Sequence, residues 1–408
     1  MQCGLLGRKL GHSYSPQIHS QLGSYDYRLF EKEPEELEDF LKNGDFTGLN
    51  VTIPYKKDVI PFLDELSPRA KALGAVNTIV RRNGKLIGHN TDYFGFETML
   101  LSTGVFLQGK KALVCGSGGA SSTATAVLKA HGANVVVLSR TGNDNYQNLN
   151  RHSDAALIVN ATPVGMYPNV EASPIEDLAA FPMLEGVLDL VYNPARTSIL
   201  LKAETLGIPC VNGLRMLVAQ AKESAEWFTG EPIDDSCIEM IYSRLRRQME
   251  NIILIGMPGC GKTTIGASLA RILSRPLKDA DAELEQAVGR KITEILPTDG
   301  EASFRSLESE TLLDLGKQSG LVVATGGGCV TIPNNYEKLH RNGTIVWLKR
   351  DLDLLPTDGR PLSQTGHLQE MYQKRAPLYA RFADFSVENS GDPQETAEEI
   401  IRILEDRA

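Results

Sequence analysis

Two glycine-rich turns, each placed directly after a short apolar run, restrict the fold more than any other feature. The first follows Ala112-Leu-Val-Cys and begins at Gly116, and the second follows Asn251-Ile-Ile-Leu-Ile and begins at Gly256. A strand that enters such a turn and then a helix is typical of nucleotide-binding βαβ units. One sheet rarely contains two of these starts, so the 408 residues are predicted to form separate α/β regions divided near 245–250.

Short apolar runs alternate with helix-length segments along the whole chain. This alternation predicts βαβ units and parallel sheets. The stretch near 245–250 has helical propensity, so we expect a short, stiff connection there. The predicted strands are Lys111–Cys115, Asn134–Ser139, Ala155–Asn160, Val187–Val191, Asn251–Ile255, Leu321–Thr325 and Thr344–Leu348.

Composition argues against several classes of protein. The formal net charge of −9 disfavours a large nucleic-acid-binding surface. No run reaches the ~18 apolar residues of a membrane span, and the N-terminus begins like a buried strand rather than a secretory signal. The six cysteines have neither C-x-x-C nor zinc spacing, which predicts reduced thiols and a cytoplasmic protein. Neither nucleic acid nor a membrane is therefore expected as a partner, which leaves small molecules, and the oligomeric state is left open.

The first turn has the layout of a dinucleotide site. Gly116 permits the tight turn, and Gly118 allows the backbone to approach a pyrophosphate at the helix N-terminus. Ser121 replaces the third glycine of the motif, so the turn alone does not exclude an ordinary loop. After the next strand, Arg140 stands where an acidic residue would favour NAD. It suits the 2′-phosphate of NADP, and an ordinary exposed arginine is the alternative interpretation.

Polar clusters that core packing does not require lie on both sides of this turn. Together they resemble shikimate dehydrogenase, across residues 1 to about 235. The resemblance implies a catalytic domain over 1–102 plus 214–245 and an inserted Rossmann domain over 103–213 that binds NADP(H). The clusters are Ser13-Tyr-Ser-Pro, Asn50-Val-Thr-Ile-Pro-Tyr-Lys, Gly74-Ala-Val-Asn-Thr, Asn90-Thr-Asp and Asn212-Gly-Leu-Arg-Met-Leu-Val-Ala-Gln.

The same resemblance implies the residues of the site. Lys56 and Asp92 match the catalytic pair of the family, and a lysine oriented by a carboxylate can protonate a ketone oxygen during reduction. The family often has a second basic residue shortly after the position of Arg140. Here Gly-Asn-Asp-Asn follows, so we expect a weaker preference for NADP. The residues expected at the substrate are Ser13, Ser15, Asn50, Thr52, Asn77, Asp92, Tyr192 and Gln220. The residues expected at the cofactor are Gly116, Ser117, Gly118, Gly119, Ala120, Ser121, Ser139, Arg140, Thr141, Leu190 and Gly213.

The second turn is a complete G-x-x-x-x-G-K-T motif after an apolar strand. In such a loop the backbone N–H groups cradle phosphates, Lys262 reaches the β- and γ-oxygens, and Thr263 binds Mg²⁺. The motif predicts ATP as a ligand but does not identify the acceptor. Four later clusters and Arg360-Pro-Leu resemble shikimate kinase, across residues about 250 to 408. The four clusters are Asp279-Ala-Asp281, Phe304-Arg305, Ala324-Thr-Gly-Gly-Gly and Lys374-Arg-Ala-Pro-Leu-Tyr.

This second resemblance implies a P-loop domain over 250–408, with the α/β fold of nucleoside-monophosphate kinases. Asp281 is then expected to bind the ring hydroxyls and to help position or deprotonate the attacking one, with Asp279 near the metal. The segment from Leu348 to Arg360 is shorter and more acidic than the usual lid of the family. The residues expected at ATP are Gly259, Cys260, Gly261, Lys262, Thr263, Thr264 and Arg360. The residues expected at the kinase substrate are Asp281, Arg305, Gly327, Gly328 and Arg375.

The two resemblances imply consecutive steps of aromatic amino-acid biosynthesis. The first reduces 3-dehydroshikimate with NADPH, and the second phosphorylates shikimate with ATP and Mg²⁺. One alternative is that the first half prefers quinate and NAD. Another is a shikimate sensor built from inactive copies of both enzymes. The sensor hypothesis predicts missing catalytic residues, but Lys56, Asp92, Lys262 and Asp281 are all present.

Overall fold

The computed structural model describes residues 1–11, 13–355, 368–389 and 391–407. The chain divides into two compact units, Met1–Asn193 with Thr197–Arg244, and Pro194–Arg196 with Leu245–Ala408. No helix within these described ranges is long and apolar enough to cross a bilayer.

The strands are β1 Gln2–Gly7, β2 Asp26–Glu31, β3 Gly48–Val51, β4 Glu65–Leu66, β5 Thr78–Arg82, β6 Lys85–His89, β7 Lys111–Cys115, β8 Asn134–Leu138, β9 Ala155–Asn160, β10 Gly186–Asp189, β11 Cys210–Asn212, β12 Asn251–Ile255, β13 Leu277–Asp279, β14 Val322–Ala324, β15 Gly343–Lys349 and β16 Phe385–Glu388. The α-helices are α1 Ser15–His19, α2 Leu37–Asn43, α3 Pro68–Leu73, α4 Asp92–Leu101, α5 Gly119–Ala130, α6 Ser198–Thr205, α7 Leu214–Thr229, α8 Ser236–Met249, α9 Lys262–Leu273, α10 Ala280–Val288, α11 Ile292–Gly316, α12 Asn335–His340, α13 Leu368–Phe382 and α14 Pro393–Asp406.

The first unit begins with a mixed sheet of order β2-β1-β3-β5-β6-β4. β1 pairs in parallel with β2 and β3, whereas β5 is antiparallel to both β3 and β6. The β5–β6 turn is Asn83-Gly84, and both residues have positive φ, 50° and 78°. A two-residue turn of this kind suits the twist of a hairpin and lets neighbouring strands reverse direction. The expectation of parallel sheets throughout is therefore wrong for this sheet.

The second sheet of this unit, β11-β10-β9-β7-β8, is parallel throughout. β7 and β9 have the predicted bounds. The bounds of β8 and β10 differ from the predicted ones by at most two residues. β7 lies between β8 and β9, so the strand order reverses at its carboxyl end. Open α/β sheets bind ligands at such a point, and here the chain turns through Gly116 into α5.

The second unit contains a parallel sheet of order β13-β14-β12-β15-β16. β12 has the predicted bounds, its two edges pair with β14 and β15, and all five of its residues are buried. Burying one such aliphatic side chain contributes about 1.5–3 kcal/mol. β12 lies between β14 and β15, which places the second glycine-rich turn at another reversal of strand order. The stretch near 245–250 is helical as predicted, because α8 continues to Met249.

Candidate active sites

A lysine–carboxylate pair lies at the centre of the first site. Lys56 Nζ donates to Asp92 Oδ2 at 2.6 Å, and Asn77 Nδ2 donates to Asp92 Oδ1 at 3.0 Å. Gln220 Oε1 lies 3.5 Å from the same Asn77 nitrogen. Asp92 is the first residue of α4 and its side chain is 11% exposed, against 27% for Lys56. Because both carboxylate oxygens accept a hydrogen bond, the ammonium group has one preferred position at the edge of the site.

Buried side chains fix the amide groups behind this pair. Tyr27 donates its hydroxyl to Asn50 Oδ1 at 2.7 Å, and Asn50 Nδ2 donates to Ser224 Oγ at 2.8 Å. The Thr91 backbone N–H donates to Asn77 Oδ1 at 2.7 Å. Asn50 and Asn77 are 5% and 2% exposed. Their donors and acceptors therefore face defined directions before any ligand binds.

The other residues predicted to bind the substrate come from separate segments. Ser13 Oγ accepts from the Ser15 backbone N–H at 3.2 Å, just before α1. Between them lies Tyr14, whose ring packs edge-on against Tyr192 with centroids 6.2 Å apart. Thr52 follows β3 and is half-buried. The two serines and Tyr192 therefore lie near one another, because both serines flank Tyr14 and Tyr14 packs against Tyr192.

The glycine-rich turn after β7 lines a cavity of about 900 Å³ that also includes Lys56 and Arg140. A Cβ added at Gly118 or Gly119 would meet no atom within 4 Å, so the backbone is open at the N-terminus of α5. Free N–H groups at a helix N-terminus fit a pyrophosphate, and an exposed guanidinium fits a 2′-phosphate. The chain's own residues therefore suit NADP(H). The residues predicted for the cofactor that line this cavity are Gly116, Ser117, Gly118, Gly119, Ala120, Ser139 and Arg140.

Four residues predicted for the cofactor do not line this cavity, although all four lie in the described ranges. They are Ser121, Thr141, Leu190 and Gly213. Ser121 is 2% exposed within α5, whereas Thr141 is exposed. A Cβ at Gly213 would lie 2.1 Å from the carbonyl oxygen of Leu190, so this glycine allows the turn before α7 to approach the end of β10. Their contact with a cofactor stays a prediction.

The second glycine-rich turn wraps the N-terminus of α9. Gly256, Gly259 and Gly261 have φ values of 143°, 84° and 99°, a region that side chains other than glycine rarely adopt. Lys262 Nζ folds back and donates to the carbonyl oxygens of Gly256 at 2.9 Å and Met257 at 3.1 Å. This arrangement forms a concave surface of backbone N–H groups that fits a phosphate chain.

The residues predicted at ATP differ in how they reach the cavity beside this turn, which has a volume of about 530 Å³. Cys260 is 1% exposed, so its side chain is buried and only its backbone can contact a nucleotide. Arg360 and most of the predicted lid lie outside the described residues. The predicted residues that line the cavity are Gly259, Gly261, Lys262, Thr263 and Thr264.

Two aspartates lie on the same cavity. Asp279 Oδ2 accepts from the Thr263 hydroxyl at 2.8 Å, and Asp279 also caps α10. A hydroxyl and a carboxylate side by side are oxygen ligands of the kind that Mg²⁺ prefers, so these residues fit that ion. Burial, with the neighbouring carboxylates Asp279 and Glu308, raises the pKa of Asp281 to about 6. A carboxyl with such a pKa can act as a general base near neutral pH.

Arg305 and Arg375, both predicted at the kinase substrate, lie beside the glycine segment, residues 326–328. Arg305 Nη1 donates to Glu308 Oε2 at 2.7 Å, and a Cβ at Gly328 would lie 2.3 Å from the two Nη atoms of Arg305. Arg375 Nη1 donates to the carbonyl oxygen of Gly327 at 3.3 Å. Both arginines line the cavity of the P-loop, where planar guanidinium groups can hold a carboxylate.

Sequence analysis assigns no role to three buried polar residues beside these sites, although one of them, Tyr379, ends the cluster Lys374-Arg-Ala-Pro-Leu-Tyr. Ser224 is fully buried and Glu308 is 2% exposed, while the Tyr379 hydroxyl donates to a glycine-segment carbonyl at 2.5 Å. Each lies one helical turn after a predicted site residue, and this spacing is the signal that could have found it. The pairs are Gln220 with Ser224, Arg305 with Glu308, and Arg375 with Tyr379.

Comparison with known proteins shows similarity in both parts of the chain. The model of the shikimate dehydrogenase substrate binding domain matches residues 5–79, and that of shikimate kinase matches residues 258–405. The shikimate dehydrogenase (NADP(+)) of Clostridium perfringens is 36% identical over 265 residues, covering 60% of this chain and 97% of that protein.

Solved structures show the similarity to shikimate dehydrogenase. Shikimate dehydrogenase 1 from Peptoclostridium difficile is 38% identical with a TM-score of 0.55, covering 60% of this chain and 97% of that one. Shikimate 5-dehydrogenase from Thermus thermophilus, in complex with NADP(H) and shikimate, is 32% identical with a TM-score of 0.54. That match covers 60% of this chain and 99% of the other. The predicted fold class, α/β with a dehydrogenase-like part followed by a P-loop kinase domain, is confirmed.

Proposed function

Because the chain belongs to the shikimate dehydrogenase family and also contains a shikimate kinase domain, we propose that it performs two consecutive reactions on one ring acid. It is an enzyme with both activities, an NADP-dependent shikimate dehydrogenase and a shikimate kinase. In the proposed order, the 3-carbonyl of 3-dehydroshikimate is reduced, and the resulting 3-hydroxyl then accepts the γ-phosphate of ATP. The observation that carries this proposal is that Lys56 and Asp281 offer a proton donor and a proton acceptor suited to the same oxygen.

In the first reaction, Lys56 is proposed to give a proton to the carbonyl oxygen. NADPH, when bound, supplies the hydride. Asp92 holds the Lys56 ammonium at 2.6 Å and is itself held by Asn77, which limits the positions that the donor can take. Such positioning lowers the entropic cost of reaching the reactive geometry. The proton moves from Lys56 Nζ to the oxygen that becomes the 3-hydroxyl.

The substrate is proposed to be oriented by two sets of polar groups. Ser13 and Ser15 would bind its carboxylate, with Tyr192 nearby. The ring hydroxyls would be bound by Asn50, Thr52, Asn77 and Gln220. The burial of Asn50 and Asn77 supports this role, because amides already fixed by neighbours lose little freedom when a ligand binds.

Arg140 is proposed to select NADP(H) through charge-assisted hydrogen bonds to the 2′-phosphate. We expect Arg140→Ala to reduce the ratio of kcat/KM for NADPH over NADH by about 10–100-fold, the loss typical of a hydrogen bond to a charged group. The ratio of the unmodified chain should itself be modest, since no second base follows Arg140. Arg151→Ala removes an exposed arginine elsewhere in the same unit and serves as the control. An unchanged ratio in Arg140→Ala would remove this residue from cofactor selection.

In the second reaction, Asp281 is proposed to accept the proton of the 3-hydroxyl as that oxygen attacks the γ-phosphorus. Lys262 would stabilise the charge that develops on the phosphate oxygens. Thr263 and, less directly, Asp279 would hold Mg²⁺, which when bound neutralises phosphate charge. Arg305 and Arg375 would clamp the carboxylate of shikimate, while the glycine segment lets the ring approach the backbone.

The preference for shikimate over quinate is tested by rates on each ring acid. The dehydrogenase is assayed in the oxidative direction with shikimate or quinate, each with NADP⁺ and with NAD⁺. The proposal requires shikimate with NADP⁺ to give the highest kcat/KM. A higher value for quinate with NAD⁺ would replace the first reaction by the alternative. Binding of shikimate without turnover in either half would instead indicate a sensor.

The intermediate is expected to leave the first site before it is phosphorylated. Its 3-oxygen must lie beside Lys56 during reduction and in line with the γ-phosphate, near Asp281, during transfer. One atom cannot occupy both places. When labelled 3-dehydroshikimate, NADPH and ATP are supplied with excess unlabelled shikimate, label in shikimate 3-phosphate should fall in proportion to the added pool. A product that stays fully labelled would show that the intermediate is not released.

A further inference from the structure

Arg350 lies on the cavity of the P-loop although no motif marks it. It directly follows β15, which pairs in parallel with β12 so that Trp347 lies opposite Ile255. The carboxyl ends of the two strands therefore meet at one edge of the sheet, where β12 continues into the P-loop. This register places Arg350 beside the loop by backbone geometry alone.

The guanidinium of Arg350 differs from the other cations of this cavity in its hydrogen-bond partners. Lys262 donates to two backbone carbonyls, Arg305 is paired with a buried carboxylate, and Arg375 donates to a carbonyl. Within residues 1–11, 13–355, 368–389 and 391–407, Arg350 has no hydrogen bond or ion pair, and its Nε is buried. A buried donor that lacks an acceptor carries a free-energy penalty. An anionic acceptor in the cavity would remove that penalty.

The position of this guanidinium indicates which part of a ligand it meets. Its Nη1 lies 3.9 Å from where a Cβ on Gly261 would be, next to the start of α9. Backbone N–H groups of a P-loop at this point cradle the α- and β-phosphates. The candidate Mg²⁺ ligand Asp279 is hydrogen-bonded to Thr263, and the carboxylate-binding arginines lie against Gly327 and Gly328. Asp279 and the two carboxylate-binding arginines therefore lie at other parts of the cavity, whereas the Arg350 side chain lies beside the start of α9.

We propose that Arg350 binds the α- and β-phosphate oxygens of the nucleotide, an assignment that rests on the proposed kinase function. A planar guanidinium can give two parallel hydrogen bonds to phosphate oxygens. ATP and ADP share these phosphates, so Arg350 binds both and its effect is on affinity rather than on the transfer step. Arg350 is a nucleotide-binding residue additional to the P-loop.

The test is Arg350→Ala in the full chain, with Lys349→Ala as a matched control. Lys349 is the neighbouring cation, and its Nζ lies 4.0 Å from Glu388 in a partly exposed ion pair. In Arg350→Ala, the Kd for ADP by calorimetry and the KM for ATP should both rise by about 10–100-fold. The KM for shikimate and the reduction of 3-dehydroshikimate should not change. In Arg350→Lys, the Kd for ADP and the KM for ATP should lie between those of the unmodified chain and those of Arg350→Ala. A lysine keeps the charge but not the paired donors.

Several results would overturn the assignment. A rise in the KM for ATP with unchanged ADP affinity would place Arg350 at the γ-phosphate. A change in the ratio of ATP to GTP affinity would indicate contact with the base. Loss of shikimate affinity together with a lower Tm would indicate a structural role. The ADP titration needs no turnover, so it still reads the Arg350 contact if the chain fails to phosphorylate shikimate.

Discussion

Lys56→Ala is expected to slow the reduction of 3-dehydroshikimate by about 10²–10⁴-fold, the usual loss when a general acid is removed. The loss should appear in kcat, because Asp92 remains held by Asn77 and the amides that orient the substrate are untouched. Phosphorylation of shikimate should keep its normal rate, since Lys262 and Asp281 lie in the other compact unit. NADPH oxidation and ADP formation are measured in separate assays on the same preparation.

Lys71→Ala is the matched control for this change. Lys71 is an exposed lysine of α3 in the same unit, so its removal should alter neither activity. Lys56→Ala with nearly normal reduction would remove Lys56 from the mechanism. Equal losses in both reactions would show instead that the substitution disturbs the whole chain.

Lys262→Ala is expected to slow phosphorylation by about 10²–10³-fold or more, as when a group that stabilises transition-state charge is lost. Reduction of 3-dehydroshikimate should be unchanged. Lys262 is 8% exposed, and its Nζ also holds two P-loop carbonyls, so the variant should weaken ATP binding too. Initial rates over a range of ATP concentrations separate these effects.

Lys317→Ala is the control in this unit, because the Lys317 side chain forms a partly exposed ion pair with Asp314 and is not among the residues that line the cavity of the P-loop. It should leave phosphorylation unchanged. If Lys262→Ala phosphorylated shikimate at the normal rate, the P-loop would not be the ATP site. If it also abolished reduction, the two units would depend on each other for folding.

The fold followed from the sequence wherever a strand was both apolar and buried on two faces. The run Asn251–Ile255 became β12 with the same bounds, because a central parallel strand is buried on both faces and four of these five residues are aliphatic. The mixed first sheet was not predicted. The antiparallel pairing of β5 with β6 depends on the Asn83-Gly84 turn, a local signal that the general alternation of apolar and helix-length segments does not contain.

The structure brings several motif residues together at each site, whereas the residues that support them lie outside the predicted set. Lys56 and Asp92 are 36 positions apart but form one ion pair, and their catalytic role stays a prediction. Ser224 and Arg350 belong to no motif, and their importance comes from contacts across distant segments. Ser224 meets Asn50 from 174 positions away, and Arg350 reaches the P-loop only through the pairing of β12 with β15. Helical spacing can point to Ser224, but which distant residue it contacts depends on tertiary packing that local patterns do not encode.

Conversion of 3-dehydroshikimate into shikimate 3-phosphate by one chain is measured directly when the full chain receives 3-dehydroshikimate, NADPH and ATP. NADPH and ADP are followed together. One NADPH should be oxidised and one ADP formed for each ring acid consumed. ADP formation should lag behind NADPH oxidation and should require NADPH. ADP formed from 3-dehydroshikimate without NADPH, or NADPH oxidation without any later ADP, would contradict the proposed two-step conversion.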